Sequence, residues 1–343
     1  MSLEASRSLL TEVVRGALAG SHPVLPEAAS APPSWTVAAE LGWPGVSVAE
    51  EAGGSGGSFA DLTAIVEAAA SVGISLPIPE TALSRAALVG ADLPWGTDDV
   101  ASIAAVDDDL VEVDGGGDRA TVRGELTGVP WAAVANRLVL VWPRQVAAVA
   151  LSDDGVTVDG TVNIAGESRA RVTFEGAPAT LHTAPEGISP DAVRDRLAVL
   201  RAAMMVGAAT GALRLSKEHV TTREQFGRPL SRFQLVSSSI AQMAGELTLA
   251  RASLETAVEA HLGDRHVTAH TAAAYLAAAR MASIVARASH QVHGAIGVTQ
   301  EHSLHHYTRR LWSWRDDVGS ELSWRRRLGR SAITLGVDGV WAL

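Results

Sequence analysis

The sequence predicts an α+β protein in three successive parts. These are an N-terminal helical domain over residues 1–93, a small antiparallel β-barrel over 94–187 and a C-terminal four-helix bundle over 188–343. Three observations predict it. Apolar residues recur at helical spacing at both ends of the chain, short Val- and Leu-rich runs fill the middle, and the last part holds several segments of about 30 residues, well beyond an ordinary helix.

In the first part, SRSLLTEVVRGALAG repeats apolar residues every three or four positions, as one buried helix face requires. A Pro-, Ala- and Ser-rich loop follows at 21–34. The turn-rich stretch EEAGGSGGSFAD then leads into an apolar helix over 60–73, with Ser58 placed to cap its start. In the second part ATVRGELT, NRLVLVW, VAAVAL and RARVTFEG are separated by Asp-Gly or Gly-rich turns, the pattern of consecutive strands. In the third, Ser189-Pro190-Asp191 is a helix start, with Pro early and an acid in the first turn. Amphipathic segments follow at 191–222, 231–262, 266–293 and 302–317, and a last one at 320–335. Helices of that length joined by short connections form an antiparallel bundle.

The composition excludes several classes. The chain is 47 % hydrophobic and 19 % charged, with a net charge of −10 and Lys217 as its single lysine. Nucleic-acid binders present basic surfaces, so no nucleic-acid partner is expected. There is no cysteine, hence neither disulfide nor thiolate chemistry. No run approaches 18 consecutive apolar residues, so no membrane span is expected. The opening MSLEASRSLL lacks a secretory layout, and the expected location is cytoplasmic. His293, His302, His305 and His306 lack acids at ligand spacing, and no metal is expected. Trp312, Trp314 and Trp324 lie at helical spacing and read as core or interface.

Two segments carry chemistry. Arg223-Glu-Gln-Phe226-Gly227 continues to Phe233-Gln234 between two expected helices, and Gln291-Val292-His293-Gly294-Ala295-Ile296-Gly297 ends a third, 68 residues beyond Arg223. A guanidinium presents a planar fork matched to a pyrophosphate and keeps its charge. Gln234 and Gln291 carry amides suited to ribose or adenine edges. Glycine at 294 and 297 admits close approach of the backbone to a ligand.

These segments resemble the Arg-x-x-Phe-Gly…Phe-Gln and Gln-x-x-Gly-x-x-Gly signatures of the acyl-CoA dehydrogenase family. LGWPGVSVAEEAGGSGGS and VTFEGAPA also look like parts of its N-terminal and β-domains. The resemblance implies FAD as cofactor, an acyl-CoA thioester as substrate and an acceptor such as electron-transfer flavoprotein. It implies that Arg223, Phe226, Gln234 and Gln291, with Val292, His293, Gly294 and Ala295, reach across a subunit interface to the adenine and pyrophosphate end of a neighbour's FAD.

The family pattern is also broken here. Its base commonly lies in an Arg-x8-Glu-Gly-Thr arrangement, and counting from Arg309 gives Val318-Gly319-Ser320. A second branch places the base 26 residues before the motif arginine, at Leu197. Neither residue accepts a proton. Asp316, Asp317 and Asp195 lie nearby, but a helix turns about 100° per residue, so a one-residue shift aims a side chain elsewhere. The Thr-Glu-Pro-x-x-Gly-Ser segment that serves the flavin within one protomer has no counterpart between 98 and 135, and Trp131 lies out of register with the family's tryptophan. The pattern resembles the non-catalytic subunit of actinobacterial heteromeric dehydrogenases, some of which act on CoA thioesters of sterol side chains. The resemblance leaves open a self-sufficient homo-oligomer using Asp316 or Asp317, and a flavin-free relative without enzymatic activity.

Overall fold

The structure is a computed structural model and describes residues 3–21, 31–96, 99–106, 110–263 and 265–341. The expected three-part α+β architecture is present: helices to residue 90, a curled sheet between 101 and 183, and helices from 190 onward. Residues 22–30 of the Pro-rich stretch, and residues 98 and 107–109 of the acidic stretch, lie outside the described residues.

The N-terminal helices are α1 (Leu3–Ala17), α2 (Trp35–Glu40), α3 (Phe59–Ser71) and α4 (Ile78–Gly90). Ser58 caps α3 as expected: its Oγ accepts from the Asp61 N–H at 3.3 Å, while the Ser58 N–H donates to the Asp61 carboxylate at 2.8 Å.

The sheet contains β1 (Ala101–Ala105), β2 (Val111–Asp114), β3 (Gly117–Pro130), β4 (Arg137–Val141), β5 (Gln145–Ala150), β6 (Val156–Val162) and β7 (Ser168–Thr183), in the order β1-β4-β5-β7-β3-β2 with β6 also on β7. Every ladder is antiparallel except β1–β4, which is parallel. β3 and β7 are much longer than the others, and three register shifts interrupt their ladder. Such bulges bend strands and increase twist. The bend carries Trp142, just after β4, to β2, where its indole N–H donates to the Val111 carbonyl at 3.2 Å; Ser102 Oγ of β1 donates to the Pro130 carbonyl at 2.6 Å. The curl encloses a core that includes Val122, Leu138, Leu140, Val149, Val172 and Phe174.

The helical part comprises α5 (Pro190–Thr222), a short hairpin of β8 (Glu224–Gln225) and β9 (Arg228–Pro229), then α6 (Gln234–Gly263), α7 (Val267–His293), α8 (Leu304–Trp314) and α9 (Glu321–Trp341). α5 starts at the expected residue, with Ser189 Oγ accepting from the Ala192 N–H at 3.2 Å. Among the described residues α5 alone is long and apolar enough to cross a membrane, but 78 % of its apolar window is buried within the protein, as in a core helix. α7 buries alanines down one face, among them Ala272, Ala279 and Ala286 at intervals of seven. Trp314 and Trp324 are buried, whereas Trp312 is half-exposed beneath the Arg315 guanidinium at 4.9 Å.

The described residues form two compact units. One draws on Met1–Pro23, Thr63–Ile74 and Ala198–Leu343; the other on Val24–Leu62 and Ser75–Leu197. Within the first, glycines bring helices close. A Cβ on Gly207 would stand 2.1 Å from the Glu67 carbonyl oxygen, and one on Gly211 2.1 Å from the Tyr307 ring. Arg251 reaches Glu67 at 2.6 Å, and the buried Arg310 donates to the Gly73 carbonyl at 2.5 Å.

Candidate functional site

The end of α5, the start of α6 and the end of α7 enclose an open cleft of about 600 Å³, within the size range of small-molecule sites. The cleft collects six of the eight residues expected to hold a nucleotide: Arg223, Gln291, Val292, His293, Gly294 and Ala295. Arg223 follows the last residue of α5 and is exposed, and its guanidinium has no side-chain partner among the described residues. Gln291 is also exposed. No carboxylate lies among the described lining residues, so the single fixed charge there is positive. An anionic group is favoured in such a place.

The other two expected residues do not line the cleft. Gln234 is exposed at the first position of α6. Phe226 is 92 % exposed at the tip of the β8–β9 hairpin. That tip is a two-residue turn with positive φ at both Phe226 (55°) and Gly227 (75°), as in a type I′ hairpin. Phenylalanine is an uncommon residue at φ > 0, and here the conformation projects an aromatic ring away from the chain. Phe233 meets it edge-on at 6.2 Å, and Arg228 lies over Phe233 at 4.1 Å.

The two motif glycines divide their roles. Gly294 caps α7 with φ 64° and ψ −142°, its N–H bonded to the His290 carbonyl, and a Cβ there would meet open space. The left-handed backbone is what requires glycine at this point. Gly297 differs from the expectation of close ligand approach: it is buried, and a Cβ would stand 2.8 Å from the His293 Cβ. It serves the packing of the turn after α7.

Val292 and His293 lie beneath the cleft surface, 8 % and 5 % exposed. The His293 ring stacks on His219 at 4.6 Å and meets His302 edge-on at 4.8 Å. Burial, then the Ser289 carbonyl acting the other way, then the neighbouring imidazoles leave His293 at about 4, well below an ordinary histidine. A helix C-terminus favours a cation by roughly 0.3–1 kcal/mol; at the end of α7 burial wins. His219 and His290 are shifted downward for the same leading reason. Among the described residues no group of three His, Asp or Glu is arranged to hold a metal ion.

Sequence reasoning missed His219, Gln225, Leu235 and Ser239 as lining residues. His219 lies one turn before Arg223, and Leu235 and Ser239 are one turn apart just past Gln234. Helical spacing from the motif residues was the available signal.

The two positions where the family's base would lie carry hydrocarbon side chains, Val318 and Leu197, and the acids beside Val318 are engaged. Asp317 is ion-paired to Arg201 at 2.5 Å, with both side chains nearly buried, and Asp316 is held by Arg315 at 2.6 Å. Both carboxylates thus have an arginine as partner. Val318 is fixed by its backbone: its N–H donates to the Tyr275 hydroxyl at 3.3 Å, and its carbonyl accepts from the Trp324 indole at 2.9 Å. Leu197 is partly exposed, and Asp195 is buried. Trp131, in the β-unit, has φ 59° and is 2 % exposed, so its indole lies in the interior.

Helices before and after a curled sheet, with an open cleft at the ends of long bundle helices, define an α+β protein with a small-molecule-sized site. Residues 193–315 match the acyl-CoA dehydrogenase C-terminal domain and residues 4–100 its N-terminal domain. The chain belongs to the acyl-CoA dehydrogenase family. It is similar to acyl-CoA dehydrogenase IpdE2 of Mycobacterium tuberculosis, 29 % identical over 79 % of this chain and 77 % of that one. Among solved structures its fold matches the Tcur3481-Tcur3483 steroid ACAD G363A variant (TM-score 0.84, 22 % identity, 96 % of this chain and 98 % of that one). It also matches the ChsE4-ChsE5 complex of M. tuberculosis (TM-score 0.83, 22 % identity, 96 % and 97 %).

Proposed function

We propose that this chain is the non-catalytic subunit of a heteromeric, FAD-dependent acyl-CoA dehydrogenase, and that it clamps the adenine and pyrophosphate end of a flavin nucleotide whose ring and base sites belong to the partner subunit. The observation that carries the proposal is a contrast among residues of the C-terminal helices and their connections. Arg223 and Gln291 stand exposed in a cleft without carboxylates, while the positions of the base are Val318 and Leu197 and the nearby Asp316 and Asp317 are held by arginines.

The donor set fits this half of FAD. Arg223 offers a forked cation to the pyrophosphate, Gln291 an amide to a ribose or adenine edge, and the left-handed turn at Gly294 opens the backbone beside them. Phe226, exposed on its hairpin, is placed for contact with a second protein rather than with this chain's own core. FAD, when bound, supplies the hydride acceptor for α,β-dehydrogenation of the thioester. This chain's residues bind and orient it, and they hold no proton at the reacting carbon. Two fold neighbours, one named a steroid ACAD and one a complex of two different chains, support a heteromer and a CoA thioester of sterol type. Electron-transfer flavoprotein as acceptor and a cytoplasmic location belong to the same proposal.

The test is co-expression with a partner dehydrogenase subunit, followed by size and flavin absorbance. A yellow complex with fewer FAD than chains, beside a colourless isolated chain, is the expected result. An isolated chain that binds FAD stoichiometrically and oxidises acyl-CoA overturns the proposal.

A further inference from the structure

The cleft rests on three imidazoles that come from three helix ends. His219 lies in the last turn of α5, four residues before Arg223; His293 ends α7, two residues after Gln291; His302 precedes α8. The His293 ring lies between the other two, nearly parallel to His219 and edge-on to His302.

The hydrogen bonds set the tautomers. His293 Nδ1 is 2.8 Å from the Ser289 carbonyl oxygen, which only accepts, so Nδ1 carries the hydrogen. Nε2 is then a bare lone pair, buried and without a partner among the described residues. His302 Nδ1 accepts from the Leu304 N–H at 3.1 Å, so its hydrogen sits on Nε2. A proton added to His293 would occupy Nε2, where no acceptor waits. The groups facing the column are His290 from α7 and Arg223 from the end of α5, with no carboxylate acting on either His293 or His219. A buried charge among like-signed neighbours carries a large penalty.

We infer that His293 is a positioning residue of this cleft: as the middle of three contacting imidazoles, it fixes the Arg223 end of α5 against the Gln291 end of α7. The inference rests on the nucleotide-clamp reading for its purpose, but the column itself is a property of this chain alone. An aliphatic residue would fill the space without a bond to the Ser289 carbonyl, and a lysine or arginine would place the charge that the site excludes. Neutral histidine meets both demands. The downward shifts of His219 and His293, both led by burial, agree with the exclusion of charge from these two rings.

The experiment is hydrogen–deuterium exchange on the full chain, expressed as protection factors for segments 219–230 and 290–298, from pH 8 to pH 5. In the unaltered chain the two segments are expected to lose protection together as the pH falls below 6.5. His293→Phe keeps a ring in the column but has neither a titrating nitrogen nor a bond to the Ser289 carbonyl; it should keep more protection than an alanine and show a smaller acid response, the remainder coming from His219 and His290. His293→Ala should lower protection of both segments at pH 7.5 by roughly tenfold. Should the alanine variant fail to fold, His219→Phe repeats the comparison from the other side of the stack. The inference is overturned if His293→Ala leaves both segments unchanged, or if His293→Phe shows the full acid response of the unaltered chain. Flavin retention by the heteromer separates the two claims. If Arg223→Ala leaves flavin retention unaltered while the exchange results hold, the clamp reading fails and the brace stands. If Arg223→Ala releases flavin but the exchange results fail, the reverse is true.

Discussion

Arg201 Nε and Asp317 Oδ2 lie 2.5 Å apart across 116 residues of sequence, the arginine side chain 2 % and the aspartate side chain 9 % exposed. The pair ties α5 to the turn between α8 and α9, the same turn whose Val318 backbone is held by Tyr275 and Trp324. Burial holds the Tyr275 phenol protonated, far above its ordinary range, so it donates to the Trp314 and Arg315 carbonyls while accepting from Val318. The acid nearest the family's base position is thus a structural group.

Breaking that pair has a defined consequence. Asp317→Ala leaves the Arg201 charge buried without its carboxylate, and a loss of about 3–5 kcal/mol in urea unfolding is expected. Replacing both partners with apolar residues of similar volume should cost far less. In the proposed heteromer, acyl-CoA turnover per folded complex should be unchanged by Asp317→Asn. A turnover loss without a stability loss would return Asp317 to the list of bases.

The Arg223 guanidinium should matter only to the complex. Hydrogen bonds to charged groups contribute about 1.5–3 kcal/mol, so Arg223→Ala should weaken flavin retention by roughly 10- to 150-fold while leaving the melting of the isolated chain unaltered. Arg223→Lys should restore part of the affinity, since a point charge replaces a fork.

Phe226 opposes stability to assembly. Asn-Gly is the preferred pair for a type I′ turn, and a ring that is 92 % exposed loses little on removal beyond its edge contact with Phe233. Phe226→Asn should therefore steady the hairpin by about 1 kcal/mol, the scale of a relieved left-handed residue, and at the same time weaken association with the partner. Exchange rates of the hairpin amides and sedentary complex formation in size-exclusion runs read the two effects separately.

Helix glycines should split into two classes. Gly207→Ala forces a methyl against the Glu67 carbonyl at 2.1 Å, and overpacking of this kind costs roughly 1–3 kcal/mol or more. Gly245, on α6, has open space where a Cβ would stand, and Gly245→Ala should stabilise by up to about 1 kcal/mol. Thermal or denaturant midpoints of the two variants should move in opposite directions.

Acid should destabilise the helical unit before it reaches the carboxylate range. His306 is pushed down to about 4, first by burial and then by His305, Arg310 and Arg309. With His293 it binds protons more readily unfolded than folded, so stability is full above pH 6.5 and falls as the pH drops toward 4. Melting temperatures at pH 8, 6.5 and 5 should show a plateau and then a decline; a flat profile would contradict it.

Much of this was legible locally. Helical periodicity sets the long bundle helices, and α5 begins at the Ser189-Pro190 signal because a cap and a fixed φ act within a few residues. The Gly-rich turns located the strands, but not the lengths of β3 and β7, since bulges depend on which partner lies alongside. Both motif segments were readable, yet Gly297 proved to be a packing residue and Phe226 a solvent-projected one. The motif string carries residue types and not their burial.

By itself, then, the sequence determined the order of helix and strand, the two ligand-type segments and the absence of an acid at positions 197 and 318. Each of these depends on residue identity and on spacing within a few turns. Only the tertiary structure decided that Arg201 neutralises Asp317, that His219 stacks on His293, and that Arg223 and Gln291 border one cleft. Those are contacts between groups tens to more than a hundred residues apart. Their existence depends on how helices pack, which no local propensity encodes.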